Sequence, residues 1–232
     1  MQRFTRSIAL VLAAAVGAAG NATAQGFGSI DTLWVQPAEQ AGGTPGCSRL
    51  VLADLPPYWL TGDAAAVLMG PSAGPLRDRL QPRLLEALLQ EEAAVLDFPA
   101  GRSDAECPGR AAPPLAEVFG AIDALAVQAG AGLIVAIGLG SYGDAVLAAA
   151  EEAAAAAVLG PRGPRMAAAI AIDAPGRARF AMGRLPHAVE DWPARAPLLC
   201  AAIAGAAGLE GPADCIAALT PPQAQASLRP PP

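Results

Sequence analysis

Runs of apolar residues alternate with stretches of helical periodicity along most of the chain. Residues 76–92 place leucines three and four positions apart, which predicts a helix with one apolar face. Residues 115–129 and 144–159 predict two further helices. Continuous apolar runs bounded by turn residues predict buried strands. Such runs cover residues 64–69, 133–137, 167–172 and 198–203, and the mainly apolar segments 49–55 and 93–98 predict two further strands.

The alternation of strands and helices predicts βαβ units with parallel strands. We therefore expect an α/β fold, a three-layer αβα sandwich with a mostly parallel, doubly wound sheet of about six or seven strands. Ligands of such sheets bind beyond the carboxyl ends of the strands. A functional site is accordingly expected at that edge.

The first residues have the pattern of a secretory signal peptide. Arg3 and Arg6 precede an uncharged apolar run over residues 7–20, and Ala22-Thr23-Ala24 supplies small residues for cleavage. We interpret residues 1–24 as a signal peptide that is cleaved, so that the protein is periplasmic or secreted. A buried or anchoring helix is the alternative.

The remaining chain divides into three parts by composition. Residues 25–46 are rich in Gly, Gln, Ala and Pro, which predicts a flexible N-terminal arm. Residues 47–219 form the predicted α/β domain. Residues 220–232 are rich in Pro and Gln, which predicts a disordered tail.

Composition limits the partners. The formal net charge is −6, and none of the basic residues is lysine. An acidic surface argues against nucleic acid or anionic lipid as a partner. No other segment predicts a membrane span, so no membrane partner is expected after cleavage of the signal peptide.

An even number of cysteines in an exported protein suggests disulfides. Cys200 and Cys215 would close a short loop, which leaves Cys47 and Cys107 as the second pair. Four free buried thiols are the alternative. The sequence has no CxxC motif and a single histidine, so we expect no metal site and no other cofactor.

The densest group of glycines lies between a predicted buried strand and a predicted helix, in the segment Gly138-Leu-Gly-Ser-Tyr-Gly143. Such a turn is typical of the nucleophile elbow G-x-S-x-G, in which a strained turn exposes a serine and the following backbone N–H helps to bind an oxyanion. The glycines at 138, 140 and 143 also match the dinucleotide-binding pattern G-x-G-x-x-G, although the acidic residue expected about 20 positions later is missing. A third interpretation is that these glycines only let the strand turn tightly into the helix.

The turn and its flanking segments resemble the α/β-hydrolase superfamily, and within it the dienelactone-hydrolase-like branch, over roughly residues 64–205. Residues 67–74 look like the strand and loop that supply one oxyanion N–H. Residues 95–99 look like the next strand, and the loop after it has Arg102 and Cys107 where such chains often place Arg and Cys. The resemblance implies hydrolysis of a carboxylic ester or lactone.

The resemblance also implies roles for individual residues. Ser141 would be the nucleophile and His187 the base, and the backbone N–H groups of Gly70 and Tyr142 would bind the oxyanion. Without gaps, however, the motif places Gly140 in the serine position. Shifting the match by one residue restores Ser141 but replaces the first glycine with Leu139.

The order of the catalytic residues departs from the family as well. The acid of the family normally follows the next-to-last strand, and the position that matches it here is Gly208. The histidine of the family follows the acid, whereas His187 precedes that position. We therefore expect an exported α/β-hydrolase-like protein without a complete Ser-His-acid triad, either non-catalytic or weakly active. An active serine esterase or lactonase that uses Ser141, with a small-molecule ester or lactone as substrate, and a dinucleotide-binding module are the alternatives.

Overall fold

A computed structural model of the protein describes residues 28–100, 112–174, 176–184, 192–209 and 213–219. The predicted signal peptide and the predicted C-terminal tail lie outside the described residues. So do Arg102, Cys107 and His187.

One seven-stranded sheet organises the fold, in the order β1-β2-β4-β3-β5-β6-β7. The strands β3, β4, β5 and β6 run parallel to one another. The pairs β1–β2, β2–β4 and β6–β7 are antiparallel. The strands are β1 (Ser29–Val35), β2 (Arg49–Leu55), β3 (Ala64–Pro71), β4 (Ala94–Ala100), β5 (Leu133–Leu139), β6 (Ala168–Ala174) and β7 (Arg177–Met182).

Helices flank the sheet. A π-helical turn at Leu125–Ala129 continues directly from the helix Pro114–Ala124. Short 3-10 turns lie at Glu39–Ala41 and Gly140–Tyr142. The helices are α1 (Pro75–Gln90), α2 (Pro114–Ala124), α3 (Gly143–Ala150), α4 (Glu152–Leu159), α5 (Trp192–Ala207) and α6 (Ala213–Leu219).

Two apolar clusters share the central strands. Ala65, Val67 and Met69 of β3 pack in one cluster with α2 and α3, whereas Ala66 and Leu68 pack in the other with α1 and α5. Since successive strand residues point to opposite faces, β3 is buried on both sides. This explains why its sequence is a continuous apolar run.

The helix α1 shows how periodicity produces burial. Leu80, Leu84 and Leu88 are spaced four residues apart and are at most 1% exposed. Full burial of such a side chain contributes roughly 1.5–3 kcal/mol. Pro75 stands in the first turn, where its missing N–H has no intrahelical partner to lose.

Residues 198–203 were expected to form a strand, and this expectation is wrong. They belong to α5. A short apolar run fits a buried strand or a buried helix equally well. Here the buried positions include Leu199, Cys200 and Ile203, whereas Leu198 is 56% exposed, which is the spacing of a helix.

Two further expectations need correction, and one strand was not predicted. The segment 25–46 is not only a flexible arm, because residues 29–35 form β1 and pair with β2 along their whole length. The strand β7 was missed because its residues alternate between arginine and small or apolar side chains. The helix expected over 144–159 is divided at Glu151, whose ψ of 124° is extended.

Candidate functional site at the carboxyl edge of the sheet

The order of the strands marks one position at the carboxyl edge. The strands β3 and β5 are neighbours, while β4 lies on the far side of β3 and β6 on the far side of β5. The chain therefore reverses its winding direction between β3 and β5. In open α/β sheets, ligands bind at such a switch point, beyond the carboxyl ends of the strands.

The glycine-rich turn follows β5 at this switch point. After Leu139 the chain makes the 3-10 turn Gly140–Tyr142 and enters α3 at Gly143. Gly140 has a φ of 61°, a conformation that glycine adopts without the strain that a Cβ imposes. A Cβ on Gly138 would lie 2.5 Å from the Tyr142 carbonyl oxygen, so the start and the end of the turn are in close contact.

Ser141 comes one residue after the residue with positive φ. It is exposed, and its hydroxyl has no hydrogen bond in the described part of the chain. At Gly140 itself, the nearest neighbour of an added Cβ would be Leu76 Cδ2 at 3.7 Å, which is ordinary van der Waals contact. The turn therefore has room for a side chain at 140.

Gly70 lies across the switch point at the end of β3 and is buried. Its open side faces Leu139 and the Arg77 guanidinium, whose Nη1 would be 3.4 Å from an added Cβ. Arg77 Nη2 donates to both oxygens of Asp97, at 2.6 and 2.7 Å, and Gln81 donates to the same carboxylate at 3.0 Å. A partly buried charge pair thus lies beneath the Gly70 backbone, whose N–H was expected to bind an oxyanion.

On the other side of the turn, a second group of charges surrounds Arg179 of β7. Arg179 donates from Nε and Nη2 to the two oxygens of Asp173, at 2.9 and 2.8 Å, and from Nη1 to Asp144 at 2.8 Å. These hydrogen bonds lower the pKa of Asp173 below its ordinary value. A Cβ on Gly143 would lie 3.4 Å from Asp173 Oδ1, so this carboxylate adjoins the turn while Arg179 holds both of its oxygens.

Tyr142 connects the turn to a buried ion pair that sequence reasoning missed. Arg49 Nη2 donates to Glu117 at 2.8 Å, and Glu117 is 2% exposed. Arg49 also lies 4.3 Å from the centre of the Phe98 ring. Partial burial raises the pKa of Tyr142, Glu117 raises it further and Arg49 opposes the rise. The available signal was a glutamate, Glu117, among the apolar residues of the first turn of α2.

Two of the predicted site features fall in other parts of the chain. His187 and the loop containing Arg102 lie outside the described residues. Gly208 follows the helix α5. The resemblance to α/β-hydrolases predicted a strand before the catalytic acid at this position, and that segment is a helix. The described residues contain no group of three or more His, Cys, Asp or Glu that could hold a metal ion.

The disulfide expectation is confirmed for one pair. Cys200 of α5 and Cys215 of α6 form a disulfide with their Cα atoms 5.6 Å apart. Cys47 is also disulfide-bonded, and its pairing with Cys107 stays a prediction. None of the helices in the described ranges has the length and apolarity needed to cross a membrane.

No family model matches the chain, and no curated protein is significantly similar to it. Solved structures of esterases are similar over part of their length. The esterase domain of a Rhodothermus marinus protein has a TM-score of 0.38 and 22% identity, over 53% of this chain and 46% of that one. Brefeldin A esterase, a bacterial homologue of human hormone-sensitive lipase, has a TM-score of 0.34 and 15% identity, over 61% and 37%.

A third structure, a thermostable esterase from Pseudomonas putida, has a TM-score of 0.32 and 13% identity, over 52% of this chain and 37% of that one. The chain spans less than half the length of each of these three proteins.

Proposed function

We propose that the protein is an exported α/β-hydrolase-like protein, a three-layer sandwich that keeps the strand-to-helix turn at its switch point without Ser-His-acid catalysis. The observation that supports this proposal is the conformation of the turn. Gly140, and not Ser141, has the positive φ. In a nucleophile elbow, the residue held in the strained conformation is the nucleophile.

The neighbouring residues support the same proposal. With Gly140 at the nucleophile position, the oxyanion N–H after it would belong to Ser141 instead of Tyr142. An unactivated serine hydroxyl is a weak nucleophile that needs a base, and the base needs a group to orient it. Two carboxylates adjoin the turn, and Arg179 donates to both oxygens of Asp173 and to one oxygen of Asp144. A turn of this kind can hold a ligand at the switch point but does not activate a serine.

Hydrolysis of p-nitrophenyl butyrate tests the proposal. We expect the purified protein to raise the rate little above that of buffer, and Ser141→Ala to leave this rate unchanged. Ser72→Ala is the matched control, because Ser72 is an exposed serine in the loop after β3. Rapid hydrolysis that Ser141→Ala abolishes and Ser72→Ala preserves would show that Ser141 is the nucleophile of an active esterase.

We also propose that the protein is exported, with residues 1–24 removed. The disulfide between two buried cysteines of α5 and α6 supports export, since structural disulfides persist in oxidising compartments. N-terminal sequencing of protein from the periplasmic fraction should begin at Gln25. Material that begins at Met1 and remains in the cytoplasm would contradict export.

A further inference from the structure

A cleft of about 400 Å³ opens at the amino edge of the sheet, beside the first residues of β5. The seven residues of β5 separate this edge from the glycine-rich turn by roughly 20 Å. Its walls include three arginines, at 162, 165 and 184, and none of the described residues that line it is acidic. Ala126, Ala131 and Ile134 contribute an apolar wall. We call this feature the arginine cleft.

Arg165 forms a fixed part of the cleft. Its side chain is 8% exposed. Nε and Nη2 donate to the two oxygens of Glu152, each at 3.1 Å. The remaining hydrogens donate to the backbone carbonyls of Gly160, Gly163 and Pro164, at 2.9 to 3.1 Å. All five donors of this guanidinium are therefore used, so Arg165 shapes the cleft and leaves ligand binding to the other two arginines.

Glu152 neutralises only one of the three charges. Its hydrogen bonds from Arg165 lower its pKa, so it is ionised at neutral pH. Arg184 Nη1 lies 3.7 Å from Glu152 Oε1, which is beyond hydrogen-bond length. Among the described residues that line or contact the cleft, three guanidinium groups and one carboxylate leave an excess of two positive charges, on a chain whose net charge is −6.

Arg162 and Arg184 supply the donors. Both side chains are exposed, and within the described ranges Arg162 takes part in no ion pair or side-chain hydrogen bond. A guanidinium binds a carboxylate or phosphate through two parallel hydrogen bonds. Pockets of a few hundred Å³ with apolar walls and a few polar groups are typical small-molecule sites.

We propose that the arginine cleft binds a small organic anion with an apolar body, a carboxylate or a phosphate monoester. The charged head group contacts Arg162 and Arg184, and the apolar body lies against Ala126 and Ala131. The arginine cleft is separate from the glycine-rich turn. If the cleft binds no anion, the proposed function is unaffected, and if Ser141 proves catalytic, the proposal for the cleft is unaffected.

Isothermal titration calorimetry with four probes tests the proposal on the full protein. Benzoate and phenyl phosphate have the required body and head, benzyl alcohol lacks the charge, and inorganic phosphate lacks the apolar body. We expect one molecule of benzoate or phenyl phosphate to bind per chain, and the tighter of the two identifies the head group. Benzyl alcohol and inorganic phosphate should each bind at least about tenfold more weakly.

Substitutions then locate the site. Arg162→Gln and Arg184→Gln should each weaken binding about tenfold or more, as expected for the loss of a charge-assisted hydrogen bond. Both residues are exposed, so the variants should keep the melting temperature of the parent protein. Arg83→Gln is the matched control, an exposed arginine on α1 away from the cleft, and should bind like the parent.

Three results would overturn the proposal. The first is that neither benzoate nor phenyl phosphate binds at 10 mM, on the order of the weakest useful affinity. The second is that benzyl alcohol binds as tightly as benzoate, or that inorganic phosphate binds as tightly as phenyl phosphate. The third is that both Arg→Gln variants bind like Arg83→Gln.

Discussion

At the scale of single residues, two Arg–Asp ion pairs at the carboxyl edge differ in how far their side chains are buried. The Arg77 and Asp97 side chains are 9% and 23% exposed, whereas those of Arg179 and Asp144 are 47% and 83% exposed. Removing one partner of a buried pair leaves a charge that neither water nor protein compensates. An exposed ion pair contributes little to the free energy of unfolding, because water already screens both charges.

Asp97→Asn should therefore lower the free energy of unfolding by about 3 kcal/mol, because it leaves the Arg77 guanidinium uncompensated. Asp144→Asn, the control at the exposed pair, should lower it by less than about 1 kcal/mol. Urea unfolding of the two variants measures the difference. Equal losses would mean that the Arg77–Asp97 pair is as well solvated as the other one.

The stability should also depend on pH through Asp54. Burial and the nearby Asp97 raise the pKa of Asp54 above its ordinary 3.8. A carboxyl group whose folded pKa is raised disfavours the folded state at pH values above that folded pKa, and this penalty disappears below the unfolded pKa. Asp54→Asn should therefore stabilise the protein at pH 7, by no more than about 1 kcal/mol because Asp54 is partly exposed, and have no effect near pH 3. Urea midpoints at both values test this, and a gain that is larger at pH 3 would contradict it.

At the scale of elements, the positions that the sequence predicted well are those buried on both faces. The runs that became β3 and β5 were recognisable because every residue in them is apolar or small. The strands β1 and β7 lie at the two edges of the sheet, where one face is free to carry polar residues and the apolar signal is lost. The run at 198–203 failed for another reason, since length and composition alone do not separate a buried strand from a buried helix.

Two adjacent leucines in α5 test its assignment as a helix. Leu199 is 8% exposed and Leu198 is 56% exposed. Leu199→Ala should lower the free energy of unfolding by about 2–4 kcal/mol, and Leu198→Ala should change it by no more than about 0.5 kcal/mol. In a strand covered on both faces, both substitutions would be costly. Urea unfolding with comparable losses for the two variants would therefore favour the strand.

The disulfide between α5 and α6 makes a prediction at the same scale. The two cysteines are 15 residues apart and at most 1% exposed. A cross-link that closes a loop of that length stabilises a protein by about 3 kcal/mol, mainly through the unfolded state. The double substitution Cys200→Ala with Cys215→Ala should lose about that amount in urea unfolding. A variant as stable as the parent under oxidising conditions would show that the bond contributes nothing.

At the scale of the whole molecule, the two edges of one sheet carry different chemistry. The carboxyl edge has the glycine-rich turn and two groups of paired charges, and the amino edge has the arginine cleft. The sequence pattern placed the turn correctly, because a buried run, several glycines and a helix occur in immediate succession. It could not reveal the partners of Asp97 and Asp173, because Arg77 and Arg179 reach these carboxylates only after the chain has folded. The arginine cleft was missed for the same reason, since residues 126–134 and 161–184 meet only through the packing of β5 with β6.

Labelling with a fluorophosphonate probe tests most directly whether Ser141 is an activated nucleophile. The purified protein is incubated with the probe beside an active serine esterase, and peptides are mapped by mass spectrometry. Because Gly140 has the positive φ of the turn and Arg179 occupies both oxygens of the adjoining Asp173 carboxylate, we predict no adduct on Ser141 under conditions that label the esterase completely. A stoichiometric adduct on Ser141 that disappears when the protein is denatured first would contradict the account.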